Sequence, residues 1–559
     1  MLTMVPLHAA ALTAAWFNVL LKPAYAQTTT VTTITPINAP YTRPTDFNPH
    51  IVPNVSSAGE PVLKSFVSYS LEFAFFPDFA GNKSHPNTFS NNLLESLSAY
   101  QGSKPDIRVG GNTQDYALFS PNLTTATYGI YTNVSADYPC VLTIGPSYFE
   151  SYQTFPNVSF IHGFNLAKND TDSNASTSII ASVPFACRAL SEGNFLHWEM
   201  GNEPDLFKMS AQGIMRPASW NESDYVKEWQ EKVALVKGAL EQGCGGNWTS
   251  GEKFQWLAPS FAATSNRLST VKTWNAGLSD SGVIAKFSSH NYISGATQPG
   301  VTLANTLLNH TKTVSSIAAH NAEQAALKAA GMNLDYILGE TNSLYNQGRP
   351  GLSNSFGAAL WGLDFNLMCA ATNIKQVFMH MGTDYRYASW QPIETDKTAL
   401  GTKAPFYGNM AVAAALGDLT KGGVRVANIP MRNETEAAYA VYSGSTLSRV
   451  VVINLNQYNY TDTNSSSTPS LSDRPSPAFN FTVPRSCAGT GTVHRLLANG
   501  SDAITGITFD GLSFNYEVAE GKPLFLGNVT RGEAVYVGND GGFAVNVVDS
   551  SAAIVQLTC

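Results

Sequence analysis

Two glutamates stand at the ends of strand-like apolar runs, and together they could cleave a glycosidic bond. Glu203 follows the run in HWEMGNEPDLF (197–207), and Glu340 follows the run in DYILGETNSLYNQG (335–348). A buried parallel strand that ends in a carboxylate delivers that group to the mouth of a barrel. Two carboxyl groups that face each other across a cleft can supply the acid and the nucleophile of glycoside hydrolysis. The two segments therefore predict a glycosidase active site.

The residues next to Glu203 suit a proton donor. Asn202 can hydrogen-bond a sugar hydroxyl beside the reacting carbon, and Pro204 fixes the backbone directly after the carboxylate. A donor must keep its proton near working pH, and a second carboxylate nearby raises its pKa because two close negative charges repel. The alternatives are an ordinary glutamate in a turn at Glu203 and a structurally satisfied carboxylate at Glu340.

Further polar residues fall on or at the ends of other candidate strands, where they would share one barrel face. Tyr292 could donate a hydrogen bond to the nucleophile and so tune its charge. We expect His290 and Asn165 to be among the residues that bind substrate. The remaining members of this group are Glu72, Arg108, Asn291 and His380. Each alone is typical of a packed or hydrogen-bonded barrel residue, and only their shared position favours a site.

The elements that must position these residues have the pattern of an α/β protein. From about residue 65 to residue 400, strand-like runs alternate with helix-like runs such as Tyr225–Leu240 and Thr302–Ala330. Eight strands favour a (β/α)8 TIM barrel over an open doubly wound sheet, because no Gly-rich nucleotide loop follows the first strand. The candidate strands are Phe66–Phe76, Asp106–Gly110, Ser159–Asn165, Leu196–Met200, Phe254–Pro259, Ile284–Ser289, Tyr336–Gly339 and Gln376–Met381.

After about residue 405 the pattern changes to short β-branched segments separated by turns. This predicts a C-terminal antiparallel β-sandwich, with a mobile loop at Asn459–Pro477. The candidate strands are Ala438–Tyr442, Arg449–Asn454, Gly491–Leu496 and Ala534–Val537. The predicted divisions are a signal peptide (1–26), an extended segment that could join the β domain (27–60), the catalytic barrel (61–404) and the sandwich (405–559).

The N-terminus predicts secretion. The segment Ala9–Leu21 is apolar, and Ala24-Tyr25-Ala26 fits the small-x-small cleavage pattern, although no Lys or Arg precedes the apolar run. A membrane anchor is the alternative, but the run is shorter than the ~20 residues that span a bilayer. Many N-x-S/T triplets, such as the one at Asn122, also indicate a secreted glycoprotein.

Composition and charge limit the possible partners. Apolar residues make up 43% of the chain and charged residues 13%, so the chain can bury a large core. The net charge of −8 becomes about −9 when Lys22 leaves with the signal peptide, which disfavours nucleic acid and anionic membranes as partners. We expect a monomer that acts on carbohydrate.

The six cysteines are too widely spaced for a zinc site. In an oxidising compartment some should pair, and Cys487 with Cys559 is the favoured disulfide because both lie in the same β-rich region. The other four could be buried thiols.

The chain resembles glycoside hydrolase family 79, the β-glucuronidase and heparanase-like family, over roughly residues 60–410. The resemblance rests on the combination of SYSLEFAF, IRVGGNTQD, FIHGFNLA, HWEMGNEPD, SSHNYIS and ILGETNSLYNQG. It implies Glu203 as acid/base, Glu340 as nucleophile and Tyr292 as the residue that orients the nucleophile. It also implies no metal and no organic cofactor. The substrate-binding residues that it implies are Glu72 and Asn202 for sugar hydroxyls, and Tyr345, Gly348 and Tyr387 for the substrate carboxylate.

From this resemblance we predict a retaining exo-β-glucuronidase that releases terminal glucuronic acid, with or without a 4-O-methyl group. An endo-enzyme acting on a sulfated polymer would need a cleft rich in Lys and Arg, whereas the 33 present form no dense cluster. A heparanase-like endo-enzyme remains an alternative, as does a glycosidase for a neutral sugar. A non-enzymatic glycan-binding module is the least favoured, because binding alone does not require a carboxylate pair.

Overall fold

The computed structural model describes residues 48–209, 213–245, 247–460, 474–527 and 529–559. The predicted signal peptide (1–26) and most of the predicted loop Asn459–Pro477 lie outside these ranges. No helix among the described residues has the length and apolar character needed to cross a membrane.

Eight parallel strands close into a barrel and follow one another around it in chain order, which confirms the predicted (β/α)8 fold. All eight correspond to predicted strands. They are β1 (Val67–Glu72), β2 (Ile107–Gly110), β3 (Phe160–Phe164), β4 (Phe195–Met200), β5 (Trp256–Phe261), β6 (Ile284–Gly295), β7 (Asp335–Tyr345) and β8 (Val377–Met381).

Alternation along the strands sorts apolar and polar side chains to the two faces of the barrel wall. In β1, Tyr69 and Leu71 pack into the main core between strands and helices. The barrel interior holds a separate apolar cluster of Ile161, Leu257, Ile337 and Phe378. Polar interior residues therefore collect toward the ends of the strands, where a TIM barrel has its active site.

The barrel helices differ in length. They are Thr88–Gln101, Ala175–Ala189, Glu222–Gly243, Thr270–Asn275, His310–Ala329, Phe356–Ala371 and Ala404–Leu416, with shorter helices at Phe76–Ala80 and Asp170–Ser173. A further short helix, Tyr516–Ala519, lies in the C-terminal region. Between β2 and β3 the chain forms a small sheet of Ala117–Phe119, Thr127–Ile130 and Val141–Ile144, and then a 3₁₀ helix, Pro146–Gln153.

Several elements differ from their predicted bounds; β7, for example, was predicted as Tyr336–Gly339 and is Asp335–Tyr345. The predicted helix Thr302–Ala330 is divided into a π-helical turn, Leu303–Leu307, and the helix His310–Ala329. The division occurs because Asn309 caps the longer helix by accepting a hydrogen bond from the Lys312 N–H. Strand β6 is longer than predicted, because it continues beside β7 as far as the pair Gly295 and Tyr345.

The C-terminal region folds into two packed sheets, as predicted. The larger sheet is antiparallel and contains Val424–Ile429, Glu436–Ser443, Thr446–Asn454, Gly489–Leu497, Thr508–Phe509, Leu512–Ser513, Leu524–Phe525, Glu533–Val537 and Ser551–Gln556. In the smaller sheet, Ala478–Thr482 pairs with Gly542–Asn546 and, in parallel, with His50–Ile51. His50 and Ile51, in the described part of the N-terminal segment, thus pair with the β domain.

Two disulfides connect distant positions. One is the favoured pair, Cys487 with Cys559, and the other joins Cys187 to Cys244. The expectation of buried thiols is therefore wrong for Cys187 and Cys244, because the helix that carries Cys187 packs beside the helix that Cys244 directly follows. Cys140 and Cys369 are unpaired, and Cys369 is buried.

Candidate active site

Glu203 lies just beyond β4 in a constrained backbone conformation. Its φ of 50° is in the left-handed region, and Pro204 begins a 3₁₀ turn directly after it. Its N–H donates to the carbonyl of Ser260 at 3.0 Å, which ties this turn to β5. A non-glycine residue in this region is costly, so the surrounding structure must hold it there. The side chain reaches His290, whose Nδ1 lies 3.0 Å from Oε1.

Glu340 lies on β7 and receives strong donors on both oxygens. Its side chain is 7% exposed, and Oε2 accepts a hydrogen bond from Nη1 of Arg108 at 2.8 Å. Oε1 accepts from the hydroxyl of Tyr292 at 2.7 Å. A third group, Nδ1 of His380, lies 3.6 Å from Oε2. Charge-assisted bonds of this kind stabilise the ionised carboxylate.

The structure brings the two predicted carboxyl groups together. A side-chain oxygen of Glu203, one of Glu340 and a ring nitrogen of His290 all lie within 4.8 Å of one another. A retaining glycosidase has its carboxyl groups ~5–5.5 Å apart, whereas an inverting enzyme needs ~6.5–9.5 Å. The spacing therefore suits direct attack on a sugar by one of the two groups.

The surroundings drive the pKa values of the two carboxyl groups apart. Burial raises the pKa of Glu203 above its ordinary value, and the negative charge of Glu340 raises it further. Burial alone would raise the pKa of Glu340 as well, but His380, Arg108 and the Tyr292 hydroxyl together lower it. Glu203 is thus suited to hold a proton while Glu340 is ionised.

His290 does not reduce the difference in pKa between Glu203 and Glu340. Burial lowers the pKa of His290 to about 4, so the imidazole is neutral over most of the pH range. A neutral ring beside Glu203 adds no positive charge that would favour the ionised form of that carboxyl group. His290 is therefore a hydrogen-bond partner of the proposed donor and not a competing charge.

Arg108 on β2 organises the nucleophile side of the site. Its guanidinium is fully buried and donates to Glu199 at 2.7 Å, to Glu340 at 2.8 Å, to Asn202 at 2.8 Å and to Ser70 at 3.0 Å. The sequence had placed Arg108 only among the polar barrel residues. The signal for a larger role was a charged residue inside an apolar strand, since burial requires such a charge to be paired.

Glu72 and His380 form a second charged pair beside Glu340. Glu72 is 2% exposed and accepts hydrogen bonds from the N–H and hydroxyl of Thr113. Its other oxygen contacts Nε2 of His380 at 3.3 Å and the hydroxyl of Tyr385 at 3.1 Å. Burial would lower the pKa of His380, but Glu340 and Glu72 raise it above its ordinary value. His380 can therefore carry a positive charge beside the nucleophile.

Glu203, His290 and Glu340 could also supply ligands to a metal ion. Two features oppose this use. Both oxygens of Glu340 already accept strong donors, and one of these donors is the guanidinium of Arg108, whose charge repels a cation. The raised pKa of Glu203 also disfavours the ionised form that a metal would require. The arrangement is better suited to proton transfer.

The three residues predicted to bind the substrate carboxylate differ in exposure and in the contacts that they already make. Tyr387 is buried, and its ring lies 6.1 Å from that of Tyr292. Tyr345 is 45% exposed at the end of β7. The N–H of Gly348 already donates to the carbonyl of Leu344 at 3.1 Å, so the expected contact with a substrate carboxylate would have to replace this bond.

Asn165 holds a loop in place. Its Nδ2 donates to the carbonyl of Ala117 at 3.0 Å, and its Oδ1 accepts from the N–H of Lys168 at 2.9 Å. Both ends of the amide are thus used by the backbone. The expected contact with substrate is not supported by this arrangement, because a sugar hydroxyl would have to displace one of these bonds.

The loop after β7 is strained and is held by one arginine. Asn346, Gln347 and Gly348 have φ values of 62°, 60° and 78°. Their carbonyls accept hydrogen bonds from the side chain and backbone N–H of Arg386, at 3.3, 2.8 and 3.2 Å. The guanidinium also forms a two-pronged ion pair with Asp137, at 2.9 and 3.0 Å. These contacts fix a loop that would otherwise relax.

The sequence is similar to known proteins along most of its length. A "Beta-glucuronidase" of Aspergillus niger is 56% identical over 508 residues, which cover 89% of this chain and 92% of that protein. A "Beta-glucuronidase" of Neurospora crassa is 48% identical over 532 residues, covering 90% and 95%. The family described as "Glycosyl hydrolase family 79 C-terminal beta domain" matches residues 438–554.

Solved structures share the fold. A 4-O-α-L-rhamnosyl-β-D-glucuronidase from Fusarium oxysporum has a TM-score of 0.70 at 24% identity, covering 91% of this chain and 100% of that one. A family 51 α-L-arabinofuranosidase from Bifidobacterium longum has a TM-score of 0.56 at 10% identity, covering 91% and 98%. At these identities the likeness concerns the fold alone.

Proposed function

The chain belongs to glycoside hydrolase family 79, and on that premise we propose that it is a retaining exo-β-glucuronidase that releases terminal glucuronic acid from glycans. The observation that carries the proposal is the pair of Glu203 and Glu340, with side-chain oxygens within 4.8 Å and pKa values displaced in opposite directions. The β-glucuronidase relatives, at 56% and 48% identity, support the choice of sugar.

The reaction has two displacements. The carboxylate of Glu340 forms a bond to the anomeric carbon as the glycosidic C–O bond breaks, and the leaving oxygen takes the proton of Glu203. A water molecule then attacks the anomeric carbon and gives a proton to Glu203, while Glu340 departs as a carboxylate. Two inversions leave the sugar with its β configuration.

The wall on one side of the barrel mouth supports exo action. Asp137 lies between the last two strands of the small sheet, Thr127–Ile130 and Val141–Ile144, and it pairs with Arg386 after β8. A second tie joins Nζ of Lys397 to the carbonyl of Ala136 at 2.9 Å. These contacts bridge the residues that follow β2 and β8, so we infer that a glycan is extended in one direction only.

Recognition of the substrate carboxylate is proposed to come from uncharged groups of the loops after β7 and β8. Tyr387 and Tyr345 offer hydroxyls, and the N–H of Gly348 would exchange its bond to the Leu344 carbonyl for one to the substrate. This local recognition suits a protein whose overall charge is negative, because one carboxylate can be received without a broad positive surface. We also propose that the enzyme is secreted and monomeric.

The test is a comparison of p-nitrophenyl β-glucuronide with the matching β-glucoside. We expect the glucuronide to be hydrolysed faster, and Glu340→Ala, checked for folding by circular dichroism, to lose turnover by several orders of magnitude. Proton NMR of the first product should show the β anomer. Faster turnover of the glucoside would reject the sugar assignment, and an initial α anomer would reject retention.

A further inference from the structure

A polar groove beside the candidate active site is not accounted for by the reaction. It has a volume of ≈ 840 Å³, within the ~300–1,000 Å³ range of small-molecule sites. It lies between the residues that follow β5, the extended end of β6 and one face of the helix His310–Ala329. The groove is defined here by Thr264, Tyr292, Ser294, Gln298, Asn305 and Ser315.

The groove forms because neighbouring barrel helices differ in length. The helix after β5, Thr270–Asn275, has 6 residues, whereas His310–Ala329 has 20. Groove-lining residues of the longer helix, such as Lys312, Ser315 and Ala319, recur every three or four positions and so share one face. The short neighbouring helix leaves part of this face uncovered.

The groove offers hydrogen bonds with little net charge. Thr264, Ser294, Gln298 and Asn305 contribute hydroxyl and amide groups, which can both donate and accept. The charged lining residues Lys312 and Glu434 have opposite signs. Their charges balance, so the groove has no net positive charge to attract a sulfated or phosphorylated ligand. This lining suits a neutral molecule rich in hydroxyls.

Asn291 forms part of the groove wall. The residue is 8% exposed, and its Oδ1 lies 3.1 Å from Oγ of Ser316 and 3.2 Å from Nε2 of His320. These two contacts hold the Asn291 side chain in place, so this part of the groove wall is fixed.

Strand β6 connects the groove to the reacting groups. Tyr292 lines the groove, and its hydroxyl lies 2.7 Å from Glu340. His290, two residues earlier, contacts Glu203 at 3.0 Å. Because Glu203 would protonate the leaving oxygen, the aglycone must depart past that residue, and β5 and β6 are the next strands around the barrel after β4. The groove is thus on the leaving-group side.

We propose that this groove binds neutral sugar units of the aglycone, the part of the glycan to which the glucuronic acid is attached. The inference rests on the proposed function. If the groove binds these sugar units, contacts remote from the broken bond should raise kcat/KM for glucuronic acid attached to a neutral oligosaccharide, relative to glucuronic acid attached to a small aryl group.

The test compares two substrates in each variant: p-nitrophenyl β-glucuronide and a β-glucuronyl oligosaccharide with a neutral hexose aglycone. Ser315→Trp fills the groove from an exposed position, and Ala325→Trp adds the same side chain on the same helix outside it. We expect Ser315→Trp to lower the oligosaccharide-to-aryl ratio of kcat/KM by about tenfold. Ala325→Trp should keep the wild-type ratio.

Titration calorimetry with the neutral oligosaccharide alone separates this inference from the proposed function. Binding to the wild type that is lost in Ser315→Trp supports the groove, even if no glucuronide is hydrolysed. Equal binding by both proteins, or an unchanged kcat/KM ratio in Ser315→Trp, would overturn it. Failure to hydrolyse either glucuronide would count against the proposed function only.

Discussion

Removing the hydroxyl of Tyr292 is expected to move the acidic limb of the pH–activity profile. In Tyr292→Phe, Glu340 loses the hydrogen bond that its Oε1 accepts at 2.7 Å. A hydrogen bond to a charged group contributes about 1.5–3 kcal/mol. Since 1.36 kcal/mol corresponds to one pKa unit, the substitution should raise the pKa of Glu340 by about 1–2 units.

The direction of the effect follows from the role proposed for Glu340. A nucleophile must be ionised, and the lost hydrogen bond had favoured the ionised form. More Glu340 is then protonated at a given acidic pH, so the acidic limb of kcat/KM should move up by about 1–2 pH units. The alkaline limb reports the loss of the proton from Glu203 and should stay in place.

The assay measures initial rates on p-nitrophenyl β-glucuronide across the acidic and neutral range, in stopped samples. The substrate has its own carboxyl group, but its titration is the same for every variant and cancels in the comparison. Tyr387→Phe is the matched control, because it removes a tyrosine hydroxyl near Tyr292 and leaves both hydrogen bonds to Glu340, from Arg108 and from Tyr292, in place. It should change KM and leave the acidic limb in place. An unmoved limb in Tyr292→Phe would refute the reasoning.

Three further expectations concern the donor, the strained loop and a disulfide. Glu203→Ala should slow an alkyl glucuronide by about 10²–10⁴-fold and the p-nitrophenyl substrate far less, because a poor leaving group needs protonation; equal losses would contradict the donor role. Arg386→Lys keeps the charge but loses the planar fork, so the ratio of glucuronide to glucoside turnover should fall, and an unchanged ratio would separate this loop from sugar selection. The double variant Cys187→Ser with Cys244→Ser should lose about 2–4 kcal/mol of unfolding free energy in denaturant titrations, whereas Cys140→Ser, at an unpaired thiol, should lose much less.

The barrel could be predicted because its signals are local. Each strand is a short, largely apolar run, and the alternation of Tyr69 and Leu71 with polar neighbours is readable along the chain. Parallel strands of one barrel share a C-terminal face, so two carboxylates at strand ends were expected to meet. Helix ends were harder to predict, since the break before His310 depends on the single cap of Asn309.

Other features could not be predicted because they depend on contacts between remote residues. Arg108 reads only as a charge in an apolar strand, while its partners Glu199 and Glu340 lie 91 and 232 positions away. The second disulfide depends on the packing of two helices, and cysteine spacing does not specify that packing. The tie between Asp137 and Arg386 spans 249 positions and has no sequence signature.

The sequence by itself therefore determined the architecture of this protein and the identity of its two candidate carboxyl groups. Only the tertiary structure decided how their environments differ. Closure of the barrel places Arg108 and His380 against Glu340 and leaves Glu203 mostly buried beside a negative charge. The physical reason is that a pKa depends on burial and on distances of a few ångströms, and strand closure sets those distances between groups far apart in the chain.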